Sequence, residues 1–194
     1  MDALSLLRAD HESVLGMLEN LERGRGFGDA EIAAREKLVT SLVIAESQHE
    51  AVEEQFFWPM VRDAVPDGDA LADHAIDQED AAKQLLQRLD ECPAGSIDFE
   101  DALSRFIPAA REHIEFEQTR VWPRVTEFCT PEQLETVGTK MAAAKHTAPT
   151  RPHPNTPSTP GAQKTGGLVA AVLDKARDLV SHRRAHQPPN PPPA

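Results

Sequence analysis

Residues 49 to 59 read HEAVEEQFFWP, and residues 113 to 123 read HIEFEQTRVWP. Twice, then, the chain carries a histidine, a glutamate four residues on and a Trp-Pro five residues after that. On a helix, positions i and i+4 lie on one face a turn apart. His49 with Glu53 and His113 with Glu117 therefore each present one imidazole and one carboxylate to a common point. Only a fold that brings two such faces together makes use of the repetition.

Apolar periodicity supplies that fold. A first helix over about residues 2–23 has the inner seam Leu4, Leu7, His11, Val14, Leu18 and Leu21 at 3-4 spacing. GRGFGD breaks it. A second helix over about 30–64 carries Leu38, Leu42, Ala45, His49, Val52, Phe56 and Met60 inward, and a third over 69–91 carries Leu71, His74, Gln78, Ala81, Leu85 and Leu89. A fourth over about 97–128 has Leu103, Phe106, Ala110, His113, Glu117 and Val121. Short loops join antiparallel neighbours, so the expected fold is all-α, an up-down-up-down four-helix bundle. TPEQ at 130–133 is a capping pattern that starts a shorter fifth helix to about His146.

Composition changes at that point. Ten of the sixteen prolines follow residue 147, and residues 145–194 hold seven Lys or Arg against two Asp or Glu, while residues 1–144 hold thirteen against thirty. The reading is a bundle domain over 1–146, a Pro-rich linker over 147–167, an amphipathic helix over 168–184 and a disordered tail over 185–194. A bundle this acidic repels phosphate backbones, which excludes nucleic acid as its partner. No stretch reaches the length of a membrane span, and the N-terminus is charged early, so a cytoplasmic location is expected. Cys92 and Cys129 fall at opposite poles of such a bundle, where no disulfide can form, in keeping with a reducing compartment.

The seams interrupt their apolar character at His11, His49, His74 and His113, and Glu53 and Glu117 stand a turn after two of these. One buried histidine alone is commonly a hydrogen-bonded core residue. Four imidazoles and two carboxylates inside one bundle would cost about 1–3 kcal/mol for each group left unpaired, so they need a shared partner, and a metal supplies it. Carboxylates can bridge two ions. Two bridging glutamates with two histidines per ion describe a dinuclear centre, with room for an oxygen bridge or a small ligand. Mixed imidazole and carboxylate ligation suits iron better than thiolate-rich structural zinc sites or oxygen-only calcium and magnesium sites. A ferritin-like centre would need ExxH on each of two helices, and only Glu46 to His49 has that spacing. The repeated Trp-Pro is expected to bend or end each helix and to close the core beyond the site.

These residues resemble the hemerythrin-like, or HHE cation-binding, domains, whose pattern is a histidine on helix 1, HxxxE on helix 2, a histidine on helix 3 and HxxxE on helix 4. The match runs over roughly residues 1–145. The resemblance implies two non-haem iron ions, oxo- or hydroxo-bridged, held by His11, His49, Glu53, His74, His113 and Glu117, which meet dioxygen, peroxide or nitric oxide. Some HHE domains also use the acidic residue after the helix 2 histidine, here Glu50. Oxygen-carrying hemerythrins have a second histidine on helix 3 where this chain has Gln78, and HxxxxD on helix 4. An iron with fewer nitrogen ligands is more open, which points away from reversible oxygen carriage and toward reaction with an oxidant. A sensor that responds to iron or oxygen without turnover is the alternative.

Overall fold

The computed structural model describes residues 1–154, 172–174, 177 and 178. It is the expected up-down-up-down bundle, all-helical among the described residues, with each of the second and fourth arms broken in its middle. The first arm is α1 (Ala3–Arg23); the second is α2 (Asp29–Val52), a π-helical turn (Glu53–Phe57) and α3 (Trp58–Ala64). The third is α4 (Gly68–Glu91). The fourth is α5 (Ile97–Phe116), a second π turn (Glu117–Val121) and α6 (Trp122–Phe128), after which α7 (Pro131–Lys145) lies across α1 and α2.

Local chemistry sets these ends. Asp2 caps α1 through Ser5 N–H, Ser96 caps α5 through Phe99 N–H, and Thr130 with Gln133 forms a reciprocal capping box at α7, whose first residue is Pro131. Gly138 is the contact point of α7 with α1: a Cβ there would stand 2.5 Å from the Asp2 carbonyl carbon, so only glycine lets the two backbones approach.

Among the described residues the apolar interior is in two pieces. One cluster fills the pole of the α1–α2 and α4–α5 loops, with Leu18, Leu21, Leu42, Leu86, Leu103 and Phe106. The other fills the opposite pole, with Leu7, Phe57, Trp58, Trp122, Val125 and Met141. Between them lies one polar layer.

The seam of α4 differs from the expected one. Ala72, Ala75, Glu79, Ala82, Leu86 and Leu89 are buried, whereas His74 is exposed and Gln78 half-buried. Two registers one residue apart both show 3-4 spacing. The alanine stripe lies inward because small side chains let α4 come close to its neighbours, a preference that reading by the largest apolar residues passes over.

Cys92 and Cys129 are both free. Among the described residues no helix is long and apolar enough to cross a membrane. Most of the amphipathic segment over 168–184, including Leu168 and Leu179, and all of 185–194 lie outside the described residues. Its described part is helical, with Val172 and Leu173 exposed and Asp174 fully buried. Asp174 accepts hydrogen bonds from the backbone N–H groups of Thr150 and Arg151 and pairs with His153, while Arg151 bridges Asp178 and Asp90 of α4. Among the described residues the tail segment thus meets the strap through Asp174 and Asp178, while Lys175, Arg183 and Arg184 lie outside them.

Candidate metal centre

The two HxxxE units fall at the π turns. A stripe that repeats every four residues drifts by about 40° per step on an ideal α-helix, about 120° over three steps. Yet His49, Glu53, Phe57 and Val61 all turn inward, as do His113, Glu117, Val121 and Val125. One extra residue in a π turn takes back about 100° of that drift and keeps each stripe on one face. Trp58 N–H bonds to the Glu53 carbonyl and Trp122 N–H to that of Glu117, both five residues back. Pro59 and Pro123 favour this wider turn, because each lacks the N–H of an ordinary helical bond and its ring crowds the carbonyl four residues earlier.

His11, His49, Glu53, Glu79 and Glu117 are buried, and the His113 side chain is 11% exposed. Their donor atoms form two groups: His11, His49 and Glu117, and Glu53, Glu79, His113 and Glu117, with the atoms of each group within 4.8 Å of one another. Glu117 belongs to both. The Nε2 atoms of His11 and His49 stand 3.1 Å from Glu117 and Glu53 respectively, and that of His113 3.5 Å from Glu117.

Three amide or carboxylate groups stand behind the rings. His49 Nδ1–H donates to Asp10 Oδ2 and His113 Nδ1–H to Gln78 Oε1, each at 3.2 Å, and the Gln118 amide meets His11 Nδ1 at the same distance. Every ring therefore turns Nε2 toward the layer. The tryptophans of the repeat lie against the same set: Trp58 Nε1–H donates to Glu79 Oε1 at 2.8 Å, and Trp122 stacks on His11 at 5.1 Å between centroids with Arg8 over the indole.

The bare layer is electrostatically loaded. Burial raises the Glu53 carboxyl to about 8, reinforced by Glu117 beside it. Burial acts on Glu117 in the same sense, but His113, His11 and His49 outweigh it and bring that carboxyl down to about 2. The imidazoles thus favour the ionised form of Glu117, while burial and the neighbouring Glu117 disfavour that of Glu53. Burial also pushes Glu79 well up, with Glu53 adding to it, and brings His113 down to about 4 against the pull of Glu117. At His49 burial is outweighed by Glu53 and Asp10, so its imidazolium persists well above the usual range.

His11, His49, Glu53, His113 and Glu117 are thus brought together, and His74 is not. It stands exposed with its ring edge-on to Phe116, 4.5 Å between centroids. Glu79 occupies the place expected of it, and Gln78 stands behind His113 rather than facing the layer. Glu50 is buried but belongs to neither group, and Glu54 beside the site is buried and paired with Lys83. The residue that spacing missed, Glu79, had one signal in the sequence: it falls on the alanine stripe at 72, 75 and 82.

The layer fits a cation. His11, His49 and His113 Nε2, both oxygens of Glu53 and of Glu117, and Glu79 Oε2 are buried without a directed hydrogen bond. Buried polar atoms are seldom left so, and here they converge.

The family described as Hemerythrin HHE cation binding domain matches residues 2–125. An uncharacterized hemerythrin-like protein of Schizosaccharomyces pombe is 23% identical over 141 residues, which cover 65% of this chain and 70% of the relative. A crystal structure of a hemerythrin HHE cation binding domain-containing protein from Mycobacterium kansasii shares the fold with a TM-score of 0.63 at 20% identity, over 90% of this chain and 99% of that one. With the family matched across most of its length, this chain belongs to the hemerythrin HHE cation-binding domain family.

Proposed function

We propose that the polar layer holds two iron ions and that the protein binds or reacts with a small oxidant, peroxide, nitric oxide or dioxygen. The observation that carries this reading is the convergence of three imidazole nitrogens and three buried carboxylates in two groups that share Glu117. His11 and His49 would serve one ion, His113 and Glu79 the other, with Glu117 between them and Glu53 beside both. A mixed imidazole and carboxylate set of this kind suits iron. Bound iron supplies one-electron redox chemistry and an open position for a small ligand.

The chain's own residues do the rest. Asp10 and Gln78 keep the Nδ1 protons of His49 and His113 and leave Nε2 free to ligate. Trp58 holds Glu79, Trp122 holds the His11 ring, and the two apolar clusters keep bulk water from either side. The free cysteines fit a reducing, cytoplasmic setting.

The test is the purified chain loaded with iron and mixed with peroxide or nitric oxide. A change in the iron absorption bands at a rate that follows oxidant concentration supports the proposal, and bands indifferent to both oxidants remove it. A second reading, an iron-responsive module without turnover, rests on the carboxylates Glu46, Glu50, Glu53, Glu54, Glu79 and Glu117 buried in one bundle. A fold so burdened gains stability when a cation arrives. Spectral change in a single turnover with no repeated consumption of oxidant distinguishes this reading from an enzyme.

A further inference from the structure

His49 differs from the other two inward imidazoles in what stands behind it. His11 and His113 meet the neutral amides of Gln118 and Gln78, whereas His49 meets a carboxylate, Asp10, whose second oxygen, Oδ1, accepts from Lys145 Nζ. A row of three groups therefore runs from His49 through Asp10 to an ammonium that is 26% exposed at the surface. Lys145 is the last residue of α7, outside residues 2–125 that the family pattern covers. The position of α7 is set by Gly138 against the start of α1 and by Met141 in the core, so Lys145 is delivered by packing.

We propose that Asp10 and Lys145 form a tuning pair for the metal centre, in which Asp10 orients His49 and strengthens it as a donor, and Lys145 tempers that effect. This rests on the reading that the layer holds iron. A carboxylate that accepts the Nδ1 proton fixes the ring and moves electron density toward Nε2, which favours a metal in its higher oxidation state. An ammonium on the far oxygen draws charge back from the carboxylate. Because only one of the three histidines is so equipped, the two halves of the centre differ in donor strength, and α7 regulates the stronger half. Asp10 and Lys145 are positioning residues that act through His49.

The test compares the iron-loaded wild-type chain with Asp10→Asn, Lys145→Met and Lys145→Arg by spectroelectrochemical midpoint potential, by chelator competition for iron and by melting of the metal-free forms. Asp10→Asn is expected to raise the potential and to weaken iron binding by about 10- to 100-fold. Lys145→Met is expected to lower the potential, and Lys145→Arg to restore it. A Lys145→Met potential that equals the wild-type value, or that moves in the direction of Asp10→Asn, overturns the proposal, including when only the metal-free melting point has fallen. A wild-type chain that takes up no iron overturns the metal reading and the pair with it, an outcome distinct from loaded variants that match the wild type.

Discussion

Glu117 and Glu53 are the same side chain at matching places in the repeat, yet they differ in charge. Glu117 receives three imidazoles and stays ionised; Glu53 faces Glu117 and keeps a proton up to about pH 8. A cation placed between them would displace that proton and remove their repulsion. Glu79 is the third carboxylate of the layer, and His74 lies outside it, which gives a paired prediction. Glu79→Gln keeps the Trp58 hydrogen bond and the shape of the side chain but removes a negative donor, and iron affinity should fall by on the order of 10- to 100-fold or more. His74→Ala should leave iron content unchanged, as read by metal analysis after dialysis. Equal losses in both would return His74 to the site. His11, His49 and His113 were legible because each interrupts an apolar seam and two of them precede a glutamate by one turn. Glu79 was hidden by the one-residue ambiguity of α4, which only packing against the other helices resolves.

The elements that aim these residues are the two π turns and α7. Trp-Pro announces a disturbance of the helix in the sequence, but a kink, an end and a widened turn all accommodate proline. The distinguishing sign is the apolar stripe that continues at intervals of four through Phe57 and Val61 and through Val121 and Val125. Pro59→Ala and Pro123→Ala restore a helical hydrogen bond and remove a residue that costs about 3 kcal/mol in an ordinary helix interior. Relaxation toward regular α-helix would turn Glu53 or Glu117 away from the layer. The metal-free variants should therefore melt no lower than the wild type while iron affinity drops; unchanged affinity would mean that the π turns stand without the prolines. At α7, Gly138→Ala puts a methyl into the α1 backbone and should destabilise the chain by about 1–3 kcal/mol in chemical denaturation. The capping box of α7 was legible in TPEQ; its contact with α1 was not, since a glycine in a helix reads as a weakness until its neighbour is known.

The molecule as a whole is two apolar clusters divided by a layer of charge, and that division predicts its response to pH. In the metal-free chain Glu46 is raised to about 7 by burial and Glu53 to about 8, and burial pushes Glu79 and Glu50 well above the ordinary carboxylate range. In the unfolded chain these groups ionise near 4.5, so between that pH and about 8 the folded state holds more protons than the unfolded one. Stability must therefore fall as pH rises through this window. Glu117, held near 2, acts oppositely and loses its contribution only as pH drops from about 4.5 toward 2. The metal-free melting temperature should accordingly be highest near pH 5 and decline toward pH 8, whereas the iron-loaded chain, with the protons replaced by metal, should not show this decline. A metal-free profile that rises from pH 5 to 8 would contradict the protonated layer. The most direct measurement on the central claim is the iron content per chain of protein loaded anaerobically with ferrous iron and freed of excess metal. Two irons per wild-type chain, with clear loss in Glu117→Ala, is the predicted result; a wild-type chain that retains no iron, or that keeps its full complement without Glu117, would contradict it.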